Sequence, residues 1–254
     1  MKQTSILDEN ATDVYAVLPN VKKGVPVDRK ANIELYNEDN MTLMARYPDN
    51  YFDLAIVDPP YGIGADKAQN AAAEQRKKAN GKSKAGRGWK EYKKTDWDSA
   101  TPSAEYWKEL FRVSKNQIVW GGNYFTDYLP PSMGWIIWDK MQRDFSLADA
   151  ELAWTSYNKA IRTFEMSRGE SLAKNNKKGG RFHPTQKPVK LYGWILNKYC
   201  KQGFKVLDTH LGSGSIAIAC HKYKVDLVGC EIDKDYFNEA LKRLKNEQAQ
   251  QSLF

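Results

Sequence analysis

The chain has 254 residues, with 39 Lys and Arg against 31 Asp and Glu and a formal net charge of +8. That length suits one large α/β core, with or without an insertion, and the basic balance suits a polyanionic partner, nucleic acid first. The three cysteines, Cys200, Cys220 and Cys230, match neither a disulfide framework nor a zinc site, so reduced, packed thiols of a cytoplasmic protein are expected.

Residues 1–30 are polar, carry Pro19, Gly24 and Pro26, and are read as an irregular surface arm. Met1 to Asn20 lacks the basic and apolar blocks of a signal peptide, and no apolar run approaches the ~20 residues that cross a bilayer. Ile33–Tyr36 reads as a short strand and Met41–Tyr47 as an amphipathic helix. Asp39, between them, is placed to cap that helix or to reach a ligand at the sheet edge, with capping the first expectation. Pro48-Asp49-Asn50 is a turn, and Phe52–Val57 is a buried strand.

That strand runs into Asp58-Pro59-Pro60-Tyr61. A carboxylate, a stiff turn and an aromatic ring then stand at the carboxyl edge of a sheet, where open α/β folds bind ligands. Proline fixes φ and has no N–H, so the turn keeps carbonyls available as acceptors. Asp58 and a neighbouring carbonyl can together take both hydrogens of a planar amino group, and Tyr61 can stack on the ring that bears it.

Residues 62–97 are rich in Lys, Arg and Gly and poor in apolar residues, and read as a basic, mobile insertion loop beside that turn. Its position suits a clamp on DNA phosphates or a lid, with Trp89, Tyr92 and Trp97 as stacking or anchoring rings. Thr101 and Pro102 open a helix to Val113, and Gln117–Trp120 is a strand ending on Gly121-Gly122, which suits a close backbone approach. Trp135–Trp138, ending on Asp139-Lys140, and Glu151–Thr155 are further strands. Residues 157–181 read as a second basic, irregular loop, a candidate short recognition region for DNA.

His183-Pro184-Thr185-Gln186-Lys187-Pro188 precedes a helix from Val189 to Cys200. The strand Lys205–Leu207 ends on Asp208-Thr209-His210-Leu211-Gly212-Ser213-Gly214-Ser215 and passes into the helix Ile216–Lys222. Glycines there let backbone N–H groups approach a ligand near the positive end of a helix dipole. The strand Val225–Cys230 ends on Glu231, 17 residues past Gly214. An acidic residue about 20 positions on suits ribose hydroxyls. Tyr236–Gln248 is a charged terminal helix.

Asp58–Tyr61, the 183–188 segment and the turn Asp208–Ser215, in that order, resemble the S-adenosylmethionine-dependent amino-methyltransferases of DNA. The order, catalytic motif before cofactor motif, is similar to their permuted β class. The resemblance covers roughly residues 31–60 and 117–247. It implies an α/β fold: a single domain over residues 1–254 with a seven-stranded, mostly parallel, Rossmann-like sheet, one antiparallel edge strand and helices on both faces. It also implies roles. Asp58, Pro59, Pro60 and Tyr61 would receive the target base, and Asp208 would hold the methionine amino group. Gly212, Ser213 and Gly214 would line the methionine backbone, with Thr185 and Lys187 near its carboxylate. Glu231 would hold the ribose and Asp39 the adenine of the cofactor. No metal is implied.

Two departures stand out: Thr209-His210 replaces the family's Pro-Phe, so His210 would fill the phenylalanine's place, and Ser215 replaces Thr. Asp at the first motif position leans towards adenine N6, with cytosine N4 as the alternative. Transfer to RNA or protein, and a non-catalytic DNA-binding module, are more distant. Duplex DNA is the implied partner; a homodimer and a cognate restriction endonuclease are left open.

Overall fold

The computed structural model describes residues 30–64, 98–143, 148–167, 169–170 and 186–251. Among them eight strands form one sheet: β1 (Ile33–Tyr36), β2 (Leu54–Val57), β3 (Gln117–Trp120), β4 (Trp135–Asp139), β5 (Ala150–Thr155), β6 (Arg162–Glu165), β7 (Lys205–Asp208) and β8 (Asp226–Cys230). The order across the sheet is β1-β8-β7-β2-β3-β5-β4-β6. Helices are α1 (Asn40–Met44), α2 (Ala104–Val113), α3 (Val189–Tyr199), α4 (Ser215–Tyr223) and α5 (Lys234–Gln251).

Strand β2 explains the layering. All four of its residues are buried, and they divide by parity. Leu54 and Ile56 join the cluster with Leu191 and Ile195 of α3 and Ile216 of α4. Ala55 and Val57 join the opposite cluster with Leu43 of α1 and Tyr106, Trp107 and Leu110 of α2. Side chains alternate along a strand, so an unbroken apolar run is the mark of a sheet covered on both faces. Each such aliphatic side chain contributes about 1.5–3 kcal/mol of transfer free energy.

The α/β class, the mostly parallel sheet and the two helical layers are as expected. Two details are corrected. The sheet has an eighth strand, β6, inside the 157–181 stretch read as an irregular loop; it pairs in parallel with β4 from Ile136↔Arg162 to Asp139↔Glu165. Its Arg-Thr-Phe-Glu sequence is mostly exposed, with Phe164 packing on Trp194 at 5.7 Å. Edge strands commonly carry charge, which blocks pairing with other chains, and that charge hid the strand in the sequence. The antiparallel strand β5 is also not at an edge. It turns back from β4 and fits between β4 and β3, pairing Trp138↔Glu151 on one side and Trp120↔Ala153 on the other.

Helix boundaries shift by a few residues. Helix α2 starts at Ala104, with the Ser103 hydroxyl accepting from the Tyr106 N–H, rather than at Pro102 behind a Thr101 cap. Helix α5 starts earlier than Tyr236, because Asp233 Oδ1 accepts from Asp235 and Tyr236 N–H at 2.8 and 3.0 Å. Residues 1–29 and 65–97, with Trp89, Tyr92 and Trp97, lie outside the described residues.

The five parallel strands β1, β8, β7, β2 and β3 lie side by side and end on one edge of the sheet. Asp39, Glu231, Asp208, Asp58 and Gly121 follow or close those ends. Residues up to 192 positions apart in the chain thus meet because parallel strands align their carboxyl ends.

Candidate active site

Asp58 leaves β2 with both carboxylate oxygens engaged. Oδ1 accepts from the Tyr61 hydroxyl at 2.7 Å, and Oδ2 faces Lys187 Nζ at 2.5 Å. Lys187 stands just before α3 and its side chain is 2% exposed. Its ammonium also lies 3.3 Å from Glu151 Oε2 and 5.0 Å from the centre of the Trp120 ring. Glu151 Oε1 in turn meets Lys140 Nζ at 2.8 Å. Burial alone would push the Lys187 ammonium down, but the charges of Asp58 and Glu151 outweigh it and hold the group above the ordinary lysine range. Burial likewise opposes the Glu151 carboxylate, and Lys187 and Lys140 hold it below its ordinary value. Lys187 and Glu151 are therefore each held in the charged form by their neighbours.

The turn itself is pinned from elsewhere. Asp98 is buried, and its Oδ1 accepts from the N–H groups of Tyr61 (2.7 Å) and Gly62 (2.9 Å), while its carbonyl accepts from Gly64 N–H (3.1 Å). Tyr61 stacks on Tyr124 with ring centres 5.0 Å apart and 15° between planes. Burial first, and then the Asp58 charge, raises the Tyr61 phenol well above its ordinary value, so it remains a donor. Gly121 has φ +69°, and a Cβ there would lie 2.2 Å from Tyr61 Cε1. Gly121→Ala should therefore fold, at a cost of roughly 1–2 kcal/mol for the left-handed backbone, but displace the Tyr61 ring. Thermal melting of the variant checks that cost.

The second half of the site lies on β7 and β8. Asp208 is buried at the end of β7, and its carboxylate accepts the His210 N–H at 3.0 Å. Burial, only partly offset by that bond, and the neighbouring charges of Asp58 and Glu231 push its carboxyl up to about 8. A carboxyl in that state fits an ammonium ion, whose charge would restore the ionised form. Glu231 Oε2 accepts from Gly212 N–H at 2.8 Å and Oε1 from Asp233 N–H at 2.9 Å. Each carboxylate oxygen has a further lone pair for a donor such as a ribose hydroxyl. Burial raises the Glu231 carboxyl, with those two N–H groups opposing.

Between these acids the glycine turn is held close to α5. Gly214 has φ +68°, a Cβ there would stand 2.8 Å from Ala240 Cβ, and Arg243 donates to the Ser213 carbonyl. His210 sits in a chain of polar contacts: Asn40 Nδ2 to His210 Nε2 (3.1 Å), His210 Nδ1 to the Thr209 hydroxyl (2.9 Å), and that hydroxyl to Tyr106 (2.8 Å). Burial pushes the His210 imidazole down to about 4, so it is neutral near pH 7. Asp39 caps α1, its Oδ1 accepting from Met41 and Thr42 N–H at 2.9 and 3.1 Å.

The structure thus brings Asp58, Tyr61, Lys187, Asp208, His210, the glycine turn and Glu231 to one sheet edge. Lys187 stands on Asp58, and Thr185 lies outside the described residues. Glu151, Lys140, Asp98 and Tyr124 were missed. Glu151 had a signal, since it is a charged residue inside the apolar strand Ala150–Thr155. Asp98 had none, because its role depends on where the chain returns after residue 64.

A family model described as DNA methylase, of the N6/N4 type, matches residues 119–242, a span that starts after Tyr61 and contains Lys187, Asp208 and Glu231. The type II methyltransferase M2.DpnII of Streptococcus pneumoniae is 25% identical over 263 aligned residues, covering 87% of this chain and 93% of that protein. M2.LlaDCHI of Lactococcus lactis subsp. cremoris is 23% identical over 260, covering 86% and 91%. Among solved structures, the M1.HpyAVI–SAM complex superposes with a TM-score of 0.53 at 20% identity, covering 84% of this chain and 98% of that one. The cytosine-N4-specific PvuII DNA methyltransferase does so at 0.52 and 12% identity, covering 85% and 87%. At such identities the likeness speaks for the fold. A span running from β3 into α5 thus matches the N6/N4 DNA methylase model, and type II methyltransferases align with most of the length of this chain at about a quarter identity.

Proposed function

We propose that the protein transfers a methyl group from S-adenosylmethionine to the exocyclic N6 of adenine in duplex DNA. The observation that carries the reading is the placement of three carboxylates, Asp58, Asp208 and Glu231, at the ends of the adjacent parallel strands β2, β7 and β8. Asp208, buried and raised, suits the methionine ammonium, and Glu231 suits the ribose. S-adenosylmethionine supplies an electrophilic methyl on a sulfonium, which passes to the nitrogen as the C–S bond breaks with its electron pair left on sulfur.

An exocyclic amino nitrogen is a weak nucleophile because its lone pair is delocalised into the base. Asp58 answers that weakness by accepting an amino hydrogen, which concentrates electron density on nitrogen, and it stands where the displaced proton can go. Pro59 is buried and holds its carbonyl in the rigid turn as the second acceptor. Tyr61 holds Asp58 through its hydroxyl and offers a ring for the flipped base. Flipping costs a few kcal/mol of unstacking, which aromatic contact offsets in part.

Adenine is favoured over cytosine because the turn opens with Asp rather than Ser. Asp39 as a contact to the cofactor's adenine is separable from its capping role. Asp39→Ser should keep the melting temperature, since Ser also caps, yet weaken cofactor binding. Unchanged affinity leaves Asp39 as a cap alone. The overall test is transfer of labelled methyl to mixed-sequence duplex DNA, followed by nucleoside chromatography. Label in N6-methyladenine is expected; label in N4-methylcytosine would overturn the base, and label in RNA or protein alone would overturn the substrate class.

A further inference from the structure

Asp58 can act only if its carboxylate is held at a fixed angle to the incoming base. Two groups hold it, the Tyr61 hydroxyl on Oδ1 and the Lys187 ammonium on Oδ2. A lysine alone is a poor anchor, because its four-carbon stem is flexible and its ammonium has no preferred direction. Here the ammonium is fixed by a second carboxylate, Glu151 Oε2 at 3.3 Å, and by the Trp120 ring beneath it. Glu151 is itself fixed twice: by Lys140 on its other oxygen, and by its backbone in β5, opposite Trp138. Stability alone does not call for this arrangement, since buried ion clusters can be replaced by apolar residues with little loss or with a gain. The antiparallel strand wedged between β3 and β4 thus reaches the end of β2 through one enclosed lysine.

We propose that Glu151 is a positioning residue for methyl transfer, orienting Asp58 through the Lys187 ammonium. The proposal rests on the reading of Asp58 as the group that accepts the target amino hydrogens. Glu151 touches neither base nor cofactor in this role. Lys140 acts one step further out, so its removal has a smaller effect.

The experiment compares wild type, Glu151→Gln and Lys140→Met in single-turnover methyl transfer to mixed-sequence duplex DNA at saturating S-adenosylmethionine. Cofactor affinity by calorimetry and thermal melting are followed in parallel. Glu151→Gln should slow the single-turnover rate roughly tenfold to hundredfold, the scale of a small misplacement of a reacting group. Cofactor affinity should stay within about twofold. Lys140→Met should slow the rate a few-fold. A wild-type rate in Glu151→Gln overturns the role even if the melting temperature falls, because a merely structural residue would show that pattern. A loss confined to cofactor affinity overturns it too. Wild type that transfers nothing to DNA overturns the functional reading and this role together. Normal wild-type transfer with an unaffected variant overturns the role alone.

Discussion

Asp58→Ala should abolish methyl transfer to DNA while S-adenosylmethionine still binds. The first half of this expectation follows from geometry. Asp58 is the carboxylate at the end of β2, fixed on both oxygens, and the stiff Pro59-Pro60 turn keeps it at the sheet edge. Losing one preorganised polar partner of a reacting group costs roughly 10²–10³ in rate, and Asp58 is both acceptor and proton destination, so the loss should reach at least that scale. The second half follows from separation of roles, since the groups proposed for the cofactor's ammonium, ribose and adenine, Asp208, Glu231 and Asp39, follow other strands than β2. Alanine also strips Lys187 of its nearest carboxylate, but Glu151 remains at 3.3 Å, so the ammonium is not left unpaired. Asp58→Asn, of the same size, checks that lost activity is not lost folding. Calorimetry for the cofactor and labelled transfer to DNA measure the two halves, and retained transfer in a folded variant would sink the assignment.

The second large effect concerns Asp208. Its carboxyl is pushed up to about 8 by burial and by the charges of Asp58 and Glu231, so at pH 7 most of the free protein holds it neutral. An ammonium ion binds the ionised form. Cofactor affinity should therefore rise by up to about tenfold per pH unit below pH 8 and fall again above it, as the cofactor's own α-amino group loses its proton, with net proton release on binding at pH 7. Calorimetry in buffers of different ionisation enthalpy reads that proton directly.

The stability effect has the opposite sign. With its folded value above the ordinary carboxyl value, the folded state binds more protons than the unfolded chain between about pH 4 and pH 8, so stability falls as pH rises through that window. Asp208→Asn removes the penalty. It should melt above wild type at pH 8.5, show no such advantage at pH 4, and bind the cofactor roughly tenfold to hundredfold more weakly, the scale of one charged hydrogen bond. A variant that gained no stability at alkaline pH would contradict the raised carboxyl, and one that kept full affinity would contradict the ammonium contact.

Much of the site was readable because its parts are local. Asp58-Pro59-Pro60-Tyr61, Asp208 to Ser215 and Glu231 each sit within a few residues of an apolar strand end, and the family resemblance implied a mostly parallel sheet, which aligns those ends. Seven of the eight strands were visible as apolar runs for the same reason. Strand β6 was not, since an exposed edge strand leaves almost no apolar pattern. Capping by Asp39 was anticipated from local spacing, and its Oδ1 bonds to Met41 and Thr42 N–H bear that out.

What the sequence determined by itself was the fold class, the strand ends and the chemical type of the groups on them, because burial patterns and turn chemistry act over a few residues. Only the tertiary structure decided their partners. Lys187 was expected near the cofactor's methionine carboxylate, and packing of α3 against the sheet places its ammonium on Asp58. Glu151 became its neighbour because β5 runs antiparallel between β3 and β4, a placement decided by which edges were open for pairing. Asp98 closes the turn from 37 residues away. Such contacts depend on where whole elements dock, and a buried charge takes its meaning from the opposite charge that docking brings within reach.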